Sequence, residues 1–401
     1  MGLQNTPSCE RVHIGIFGRM NSGKSSIINA ITGQKISIVS EVRGTTTDPV
    51  MKSMELLPLG PVLLMDTPGL DDVSILGQMR VESTMRILDK TDLALVVLDA
   101  QAGLSEEDEK IVGKIREKGL PYILVYNKTD LLMDAYTAPV RDDKENAIAV
   151  SASTMDHIHE LKELMGRMLS DEGKKKKLIS DLISPKDLTI LVVPVDSAAP
   201  KGRLILPQQQ VIRDVLDSRA QALIVQVDEL EDALAMVHKK PKLVITDSQA
   251  FNEVKKIVPE DIPLTSFSIL MARYKGNLSE AVKGAYALDS LEDHQRILIS
   301  EGCSHHRQCD DIGTVKLPKW IRDYTGKDLI FVHSSGTEFN RKNEKYDLVV
   351  HCGGCMLNEK EMQSRISRTL DSDIPITNYG ILIAHMNGIL ERSIMPLKEK
   401  L

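Results

Sequence analysis

The chain has no run of 18 apolar residues and no secretory-type start, so neither membrane insertion nor secretion is expected of it. It also lacks a surplus of base: 50 Lys and Arg against 57 Asp and Glu leave a net charge of −7 and an isoelectric point near 5.9. A general affinity for phosphate backbones needs clustered cations, so nucleic acid is a poor partner for this composition. Cysteine is scarce as well. Five thiols in 401 residues do not make a disulfide framework and suit a reducing, cytoplasmic setting.

What the sequence does hold is ordinary globular material, with 42% hydrophobic and 27% charged residues. At 401 residues it is too long for one core, and two to three domains are expected. Short apolar strands alternate with amphipathic helices throughout. That rhythm predicts an α/β protein: a P-loop nucleotide-binding domain over residues 1–172, then two further α/β domains with mainly parallel sheets. A linker is expected over 173–186, containing the lysine run Lys174–Lys177, followed by an association domain over 187–275 and a last domain over 276–401. No glycine-rich phosphate loop follows any strand of the middle domain, and Asp196, Arg203 and Arg213 are expected to be solvated charges rather than a site.

The strand Arg11–Phe17 runs directly into Gly18-Arg19-Met20-Asn21-Ser22-Gly23-Lys24-Ser25-Ser26 and then into an apolar helix. This is the G-x-x-x-x-G-K-[ST] loop in its strand–loop–helix setting, where backbone N–H groups wrap phosphates at a helix N-terminus. Lys24 is placed to neutralise the β- and γ-phosphates and Ser25 to ligate Mg²⁺. Further signals follow in order. Asp66-Thr67-Pro68-Gly69 ends an apolar strand and sets Asp66 toward the magnesium shell and the Gly69 N–H toward the γ-phosphate. Asn127-Lys128-Thr129-Asp130 follows another strand, and the Asp130 carboxylate matches the paired N–H donors of guanine, which adenine lacks. Ser151-Ala152-Ser153 would close over the base. The polar segment Arg43–Asp48 is expected to be a switch that supplies Thr46 to the metal, and residues 71–90 a second switch. GTP hydrolysis with Mg²⁺ is the expected activity, with Lys24 and Thr46 as its catalytic groups. Leu70 stands where related enzymes carry a water-positioning glutamine, so turnover is expected to be slow.

Near the other end, Cys303-Ser304-His305 is answered, after 45 intervening residues, by His351-Cys352-Gly353-Gly354-Cys355. Each run follows a predicted strand, Gln295–Ser300 and Tyr346–Val350, and in a parallel sheet both would lie on one edge. Three thiols and two imidazoles suit a soft metal: tetrahedral structural zinc on the residues alone, or an iron–sulfur cluster. Asn358 is expected to cap the next helix in a capping box with Glu361, and Ile381–Ile394 to form one closing helix.

The first segment resembles the translation-factor-like GTPases, with branches in tRNA modification, ribosome assembly and hydrogenase maturation. Asn21 matches members that use K⁺ as an accessory ion. The whole arrangement, a GTPase followed by an α/β segment and C-x-H…H-C-x-x-C, resembles the HydF family of [FeFe]-hydrogenase maturation GTPases. That resemblance implies a [4Fe-4S] cluster on Cys303, Cys352 and Cys355, with His305, His351 or Glu301 as candidates for the fourth position. It further implies a homodimer or larger assembly, radical-SAM maturation enzymes as partners, and delivery of a diiron precursor to apo-[FeFe]-hydrogenase. The rival reading from the residues is a ribosome- or RNA-associated GTPase with structural zinc. A third makes the last domain a redox or metal-storage module.

Overall fold

The computed structural model describes residues 6–33, 51–67, 75–132, 146–170, 176–195, 204–302, 312–336, 339 and 345–400. The chain divides into two compact units, Met1–Lys174 and Lys175–Leu401.

The first unit is built from β1 (Val12–Phe17), α1 (Lys24–Thr32), β2 (Met51–Leu56), β3 (Gly60–Asp66), α2 (Ile75–Leu88), β4 (Leu93–Asp99), α3 (Glu106–Glu117), β5 (Tyr122–Asn127), β6 (Ala147–Ala149) and α4 (Ile158–Ser170). The strands form one sheet in the order β2-β3-β1-β4-β5-β6, with only β2 antiparallel to its neighbour. β1, β4 and β5 read as near-continuous apolar runs because both faces of the sheet are covered. Alternation within them still sorts the two cores. Ile14, Ile16, Leu95 and Val125 pack with Ile27, Ile31 and Leu161 on one face, and Phe17, Val96 and Leu124 pack with Ile87, Ile111 and Ile115 on the other. Side chains of period two leave no other arrangement for a sheet clad by helices on both sides.

The second unit contains β7 (Leu188–Val192), α5 (Leu206–Asp217), β8 (Gln221–Val225), α6 (Leu230–Met236), β9 (Leu243–Thr246), α7 (Phe251–Ile257), β10 (Leu264–Ser266), α8 (Phe267–Lys275) and α9 (Leu278–Tyr286), then β11 (Arg296–Glu301), α10 (Leu317–Thr325), β12 (Ile330–Ser335), β13 (Leu348–His351), α11 (Glu359–Leu370), β14 (Ile376–Asn378), α12 (Tyr379–Met386) and α13 (Leu390–Ile394). They make two four-stranded parallel sheets, ordered β10-β9-β7-β8 and β12-β11-β13-β14. One apolar cluster runs through both, from Ile190, Val244 and Phe251 to Ile297, Val350 and Leu382. Helix α9 lies against β14, and α13 lies against β10.

Several local expectations change. Of the expected linker, Leu178, Ile179 and Ile183 are core residues, and the carboxylate of Asp214 accepts hydrogen bonds from the N–H groups of Ile179 (2.7 Å) and Ser180 (2.9 Å). Arg273 also pairs with Asp181. A 3₁₀ turn, Ser248–Ala250, precedes α7, and Asp247 caps that turn by accepting from the Gln249 N–H at 3.0 Å. The closing helix is two helices, α12 and α13, because the chain turns at Gly388 with φ 65°. Asn358 does cap α11 through the Glu361 N–H at 3.0 Å, but the box is not completed: the Glu361 carboxylate turns to Arg365 at 2.7 Å instead.

Candidate functional site

The loop between β1 and α1 is shaped by backbone conformations that few side chains tolerate. Gly18, Asn21 and Gly23 have φ values of 137°, 63° and 95°. A Cβ on Gly23 would come within 2.2 Å of the Asn127 amide nitrogen, so the loop closes against the base-recognition strand only because that residue is glycine. Lys24, nine-tenths buried, spans the loop and donates from Nζ to the carbonyls of Gly18 (2.9 Å) and Arg19 (2.8 Å). Its ammonium is thus held at the mouth of the phosphate cradle.

Ser25 Oγ donates to Asp66 Oδ2 at 3.2 Å, bringing together the two expected magnesium ligands from α1 and β3. Burial raises the Asp66 pKa, against the opposing pull of Lys24 and Ser25. Asp66 Oδ1 is buried and accepts no hydrogen bond. A desolvated carboxylate with an unpartnered oxygen beside a serine hydroxyl is a donor set of the hard-oxygen kind that Mg²⁺ takes. Thr67 fixes the strand end by donating from Oγ1 to the Ile16 carbonyl at 2.7 Å.

The base-recognition residues knit the far side of the cleft. The Asn127 side chain is 2% exposed, donates to the Ser22 carbonyl (3.2 Å) and accepts from the Ala152 N–H (3.1 Å). It therefore ties the phosphate loop to the closing loop. Lys128, at φ 69°, reaches Asp99 at 2.7 Å. The exposed Asp130 carboxylate accepts from Ser151 Oγ at 2.6 Å, which holds it in place at the cleft edge. Ser26 sits on the exposed side of α1. Thr46, Leu70 and Gly69, and with them the first switch, lie outside the described residues.

In the second unit, β11 pairs in parallel with β13, with Ser300 opposite His351. The pairing continues past the strand ends: the Cys352 N–H donates to the Ser300 carbonyl at 2.8 Å, and the Gly302 N–H donates to Cys352 Sγ at 3.0 Å. Cys303 and His305 lie outside the described residues, but Gly302, the residue before Cys303, is in contact with the Cys352 sulfur. Gly354, at φ 61°, lets the loop turn between Cys352 and Cys355. Burial pushes the Cys355 thiol up, with Lys275 working against it. Soft sulfur donors at a strand-end edge, one already receiving an N–H bond, fit an iron–sulfur or zinc centre. Among the described residues no group of three or more His, Cys, Asp or Glu is gathered for a metal, and no helix is long and apolar enough to cross a membrane.

His351 takes a different part from that of a ligand candidate. It is fully buried in β13, its Nδ1–H donates to the Cys352 carbonyl at 2.7 Å, and its Nε2 accepts from Arg365 Nη1 at 3.0 Å. Both ring nitrogens are occupied, and burial together with the Arg365 guanidinium pulls the ring pKa down to about 3. The imidazole is neutral and braces the start of the Cys352 loop. Its signal was absent from the motif: Arg365 lies 14 residues downstream, on α11. Two further residues escaped sequence reading. Lys275, at the end of α8, is 4% exposed and donates from Nζ to the carbonyls of Cys355 (3.0 Å) and Leu357 (2.9 Å). Gln363 of α11 donates back to the carbonyls of Lys275 (3.2 Å) and Gly276 (3.0 Å). A small pocket beside Cys352 is walled by Lys275, Asn277, Met362 and Asn378.

Against known proteins, residues 13–128 match a family described as 50S ribosome-binding GTPase. The chain is 36% identical across 172 residues to GTPase Der of Wolinella succinogenes, a match covering 40% of this chain and 36% of that one. It is 34% identical across 169 residues to the tRNA modification GTPase MnmE of Chromobacterium violaceum, covering 41% of this chain and 37% of that one. The chain thus spans little more than a third of the length of either relative. A solved structure of a point variant of Aquifex aeolicus Era bound to GDP.AlF4- is similar at 22% identity and TM-score 0.36, covering 53% of this chain and 92% of that one. The first unit is a P-loop GTPase domain. Residues 178–276 match the Hydrogen maturase F dimerization domain and residues 279–396 the Hydrogen maturase F tetramerization domain, both families of self-associating domains. With a GTPase domain in front of both, the chain belongs to the hydrogen maturase F family.

Proposed function

We propose that this protein is a cytoplasmic, self-associating GTPase that carries a [4Fe-4S] cluster and serves as a scaffold from which a diiron precursor is delivered to apo-[FeFe]-hydrogenase. The observation that carries this reading is the bond from the N–H of Gly302, the residue before Cys303, to Cys352 Sγ, 3.0 Å long, at neighbouring strand ends. Cys303, Cys352 and Cys355 are the thiolate ligands in this account. With three protein thiolates, a cluster keeps one iron position open to an exogenous ligand, and that is the property a carrier needs. His351 is assigned to bracing the Cys352 loop; His305 and Glu301 stay as candidates for the fourth position.

The nucleotide chemistry follows from the first unit. Gly18, Asn21, Ser22, Gly23, Lys24, Ser25 and Ser26 bind the phosphates, Asn127, Lys128, Asp130, Ser151 and Ala152 hold the guanine, and Gly69 and Thr46 complete the γ-phosphate side. Ser25, Thr46 and Asp66 would hold Mg²⁺, which when bound neutralises charge developing on the transferring phosphoryl group. Lys24 supplies a fixed positive charge whose position is set before substrate arrives. K⁺ at Asn21 is a further element of the reading. The nucleotide state biases contacts with apo-hydrogenase and radical-SAM maturation enzymes only through different affinities of its two conformations.

Anaerobic purification of the full chain tests the proposal. A brown protein with about four irons per chain and an EPR signal on reduction is the expected outcome. A colourless protein with one tightly held zinc per chain overturns the carrier reading and favours structural metal.

A further inference from the structure

The two sheets of the second unit have one topology. Numbered by chain order within each sheet, both run fourth-third-first-second, and all pairs are parallel. The register matches as well: Val192 of β7 faces Thr246 of β9, as Ser300 of β11 faces His351 of β13. A sequence repeat runs through the fourth strand of each. Ile262-Pro263-Leu264-Thr265-Ser266-Phe267-Ser268-Ile269-Leu270 is matched by Ile374-Pro375-Ile376-Thr377-Asn378-Tyr379-Gly380-Ile381-Leu382. Ser266 and Asn378 cap their helices in the same way, accepting from the N–H of Ile269 and of Ile381 at 3.3 and 2.8 Å. Thr265 and Thr377 each bury a hydroxyl oxygen that makes no hydrogen bond. The halves are copies of one fold.

The copies also exchange contacts reciprocally. α9, from the first half, lies on β14, and α13, from the second, lies on β10. Lys255 of α7 donates to the Asn387 carbonyl at 2.9 Å, while Gln363 of α11 donates to the Lys275 carbonyl at 3.2 Å. Asn387 and Lys275 are equivalent, each 13 residues after the isoleucine that opens its repeat. Such mutual contacts are those of an isologous pair joined in one chain.

This pairing supplies an internal control. By the strand register, Cys352 corresponds to Asp247 and Cys355 to Ala250, so the first half is the copy without sulfur. The equivalent of Lys275 in the second half is Asn387, whose carbonyl accepts from Lys255 of α7 and whose amide donates to the Ile383 carbonyl of its own helix at 2.9 Å. The residue facing the cysteine loop is Lys275, whose ammonium donates to the carbonyls of Cys355 and Leu357. A lysine thus stands at this position where its partner is the cysteine loop, and an asparagine turned to its own helix stands at the equivalent position.

We propose that Lys275, carried by the sulfur-free half, is a positioning residue of the cluster site: it pins the Cys352–Cys355 loop through two carbonyls and sets a buried positive charge beside the anionic cluster. This rests on the cluster reading above. A nearby fixed cation favours the reduced, more negative cluster and so raises its reduction potential.

The test is an EPR-monitored redox titration of the anaerobically reconstituted full chain, with iron content and chelator-driven iron release measured alongside. Lys275→Met is expected to shift the potential negative and speed iron release, and Lys275→Arg to stay near the parent value. Gln363→Ala loosens the same contact without removing charge and is expected to leave the potential unchanged. Loss of iron from Lys275→Met while Gln363→Ala and Lys275→Arg retain it also supports the assignment. Full iron with an unshifted potential in Lys275→Met overturns it and leaves the scaffold reading standing. Equal shifts in Lys275→Met and Gln363→Ala overturn it too, since packing alone would then account for the effect. A parent protein that takes up no iron fails at the earlier step and removes both.

Discussion

The nucleotide site and the cysteine site solve different problems with one device, the carboxyl edge of a parallel sheet. In the first unit the recognition surface is mostly main chain, bent by Gly18, Asn21 and Gly23 and tied by the single side chain of Asn127 to Ser22 and Ala152. In the second unit the proposed chemistry resides in sulfur held by its surroundings: β11 and β13 bring Gly302 against Cys352, His351 and Arg365 brace one end of the loop, and Lys275 braces the other. A site made of backbone is encoded locally. A site made of side chains needs support from elsewhere in the fold, and here that support comes from a second copy of the same sheet.

The largest expected effects come from breaking each site alone. Cys355→Ala is expected to abolish stoichiometric iron retention while leaving GTP affinity at its parent value, and Lys24→Ala is expected to lower GTP turnover about a hundredfold or more with iron content unchanged. Iron analysis and a phosphate-release assay on both variants check this, and loss of both properties in either one would erase the contrast between the sites. Asp130→Ala is next. Loss of two hydrogen bonds to a charged acceptor, each about 1.5–3 kcal/mol, is expected to raise the KM for GTP roughly a hundredfold or more and to narrow the preference over ATP. An unchanged ratio of kcat/KM for the two nucleotides would remove Asp130 from base recognition.

Arg365→Met sharpens the comparison from the structural side. Arg365 is 1% exposed and holds His351, the Gly336 carbonyl and Glu361 at 3.0, 2.6 and 2.7 Å. Its removal is expected to cost about 3 kcal/mol and lower the melting temperature of the second unit by roughly 6–12 °C, read by calorimetry, with the GTPase transition unmoved. At the bottom of the scale, Arg213→Ala breaks only a pair with Asp217 in which both side chains are more than half exposed. No measurable change in melting temperature is expected.

The same contrast explains what the sequence disclosed. The phosphate loop could be read residue by residue because its geometry depends on which positions tolerate positive φ, and Asn358 announced its capping role through a short local pattern. The role of His351 could not be read, since next to a cysteine an imidazole looks like a donor until Arg365 is seen against it. Lys275 was hidden more deeply: it belongs to a stretch read as a separate association domain, and its partners lie 80 and 82 residues further on. The closing helix was overextended because apolar periodicity continues through Gly388, where the backbone alone makes the break. Elements were legible where they answer to neighbours in sequence and opaque where they answer to neighbours across the duplicated fold.

The crossed seating of α9 on β14 and α13 on β10 has a practical corollary. Severing the chain between α8 and α9 would bare the border strand β10 in one fragment and leave α13 with nothing to lie on in the other. The sulfur-bearing segment is therefore a poor candidate for production by itself, and the companion copy belongs in every preparation meant to hold metal.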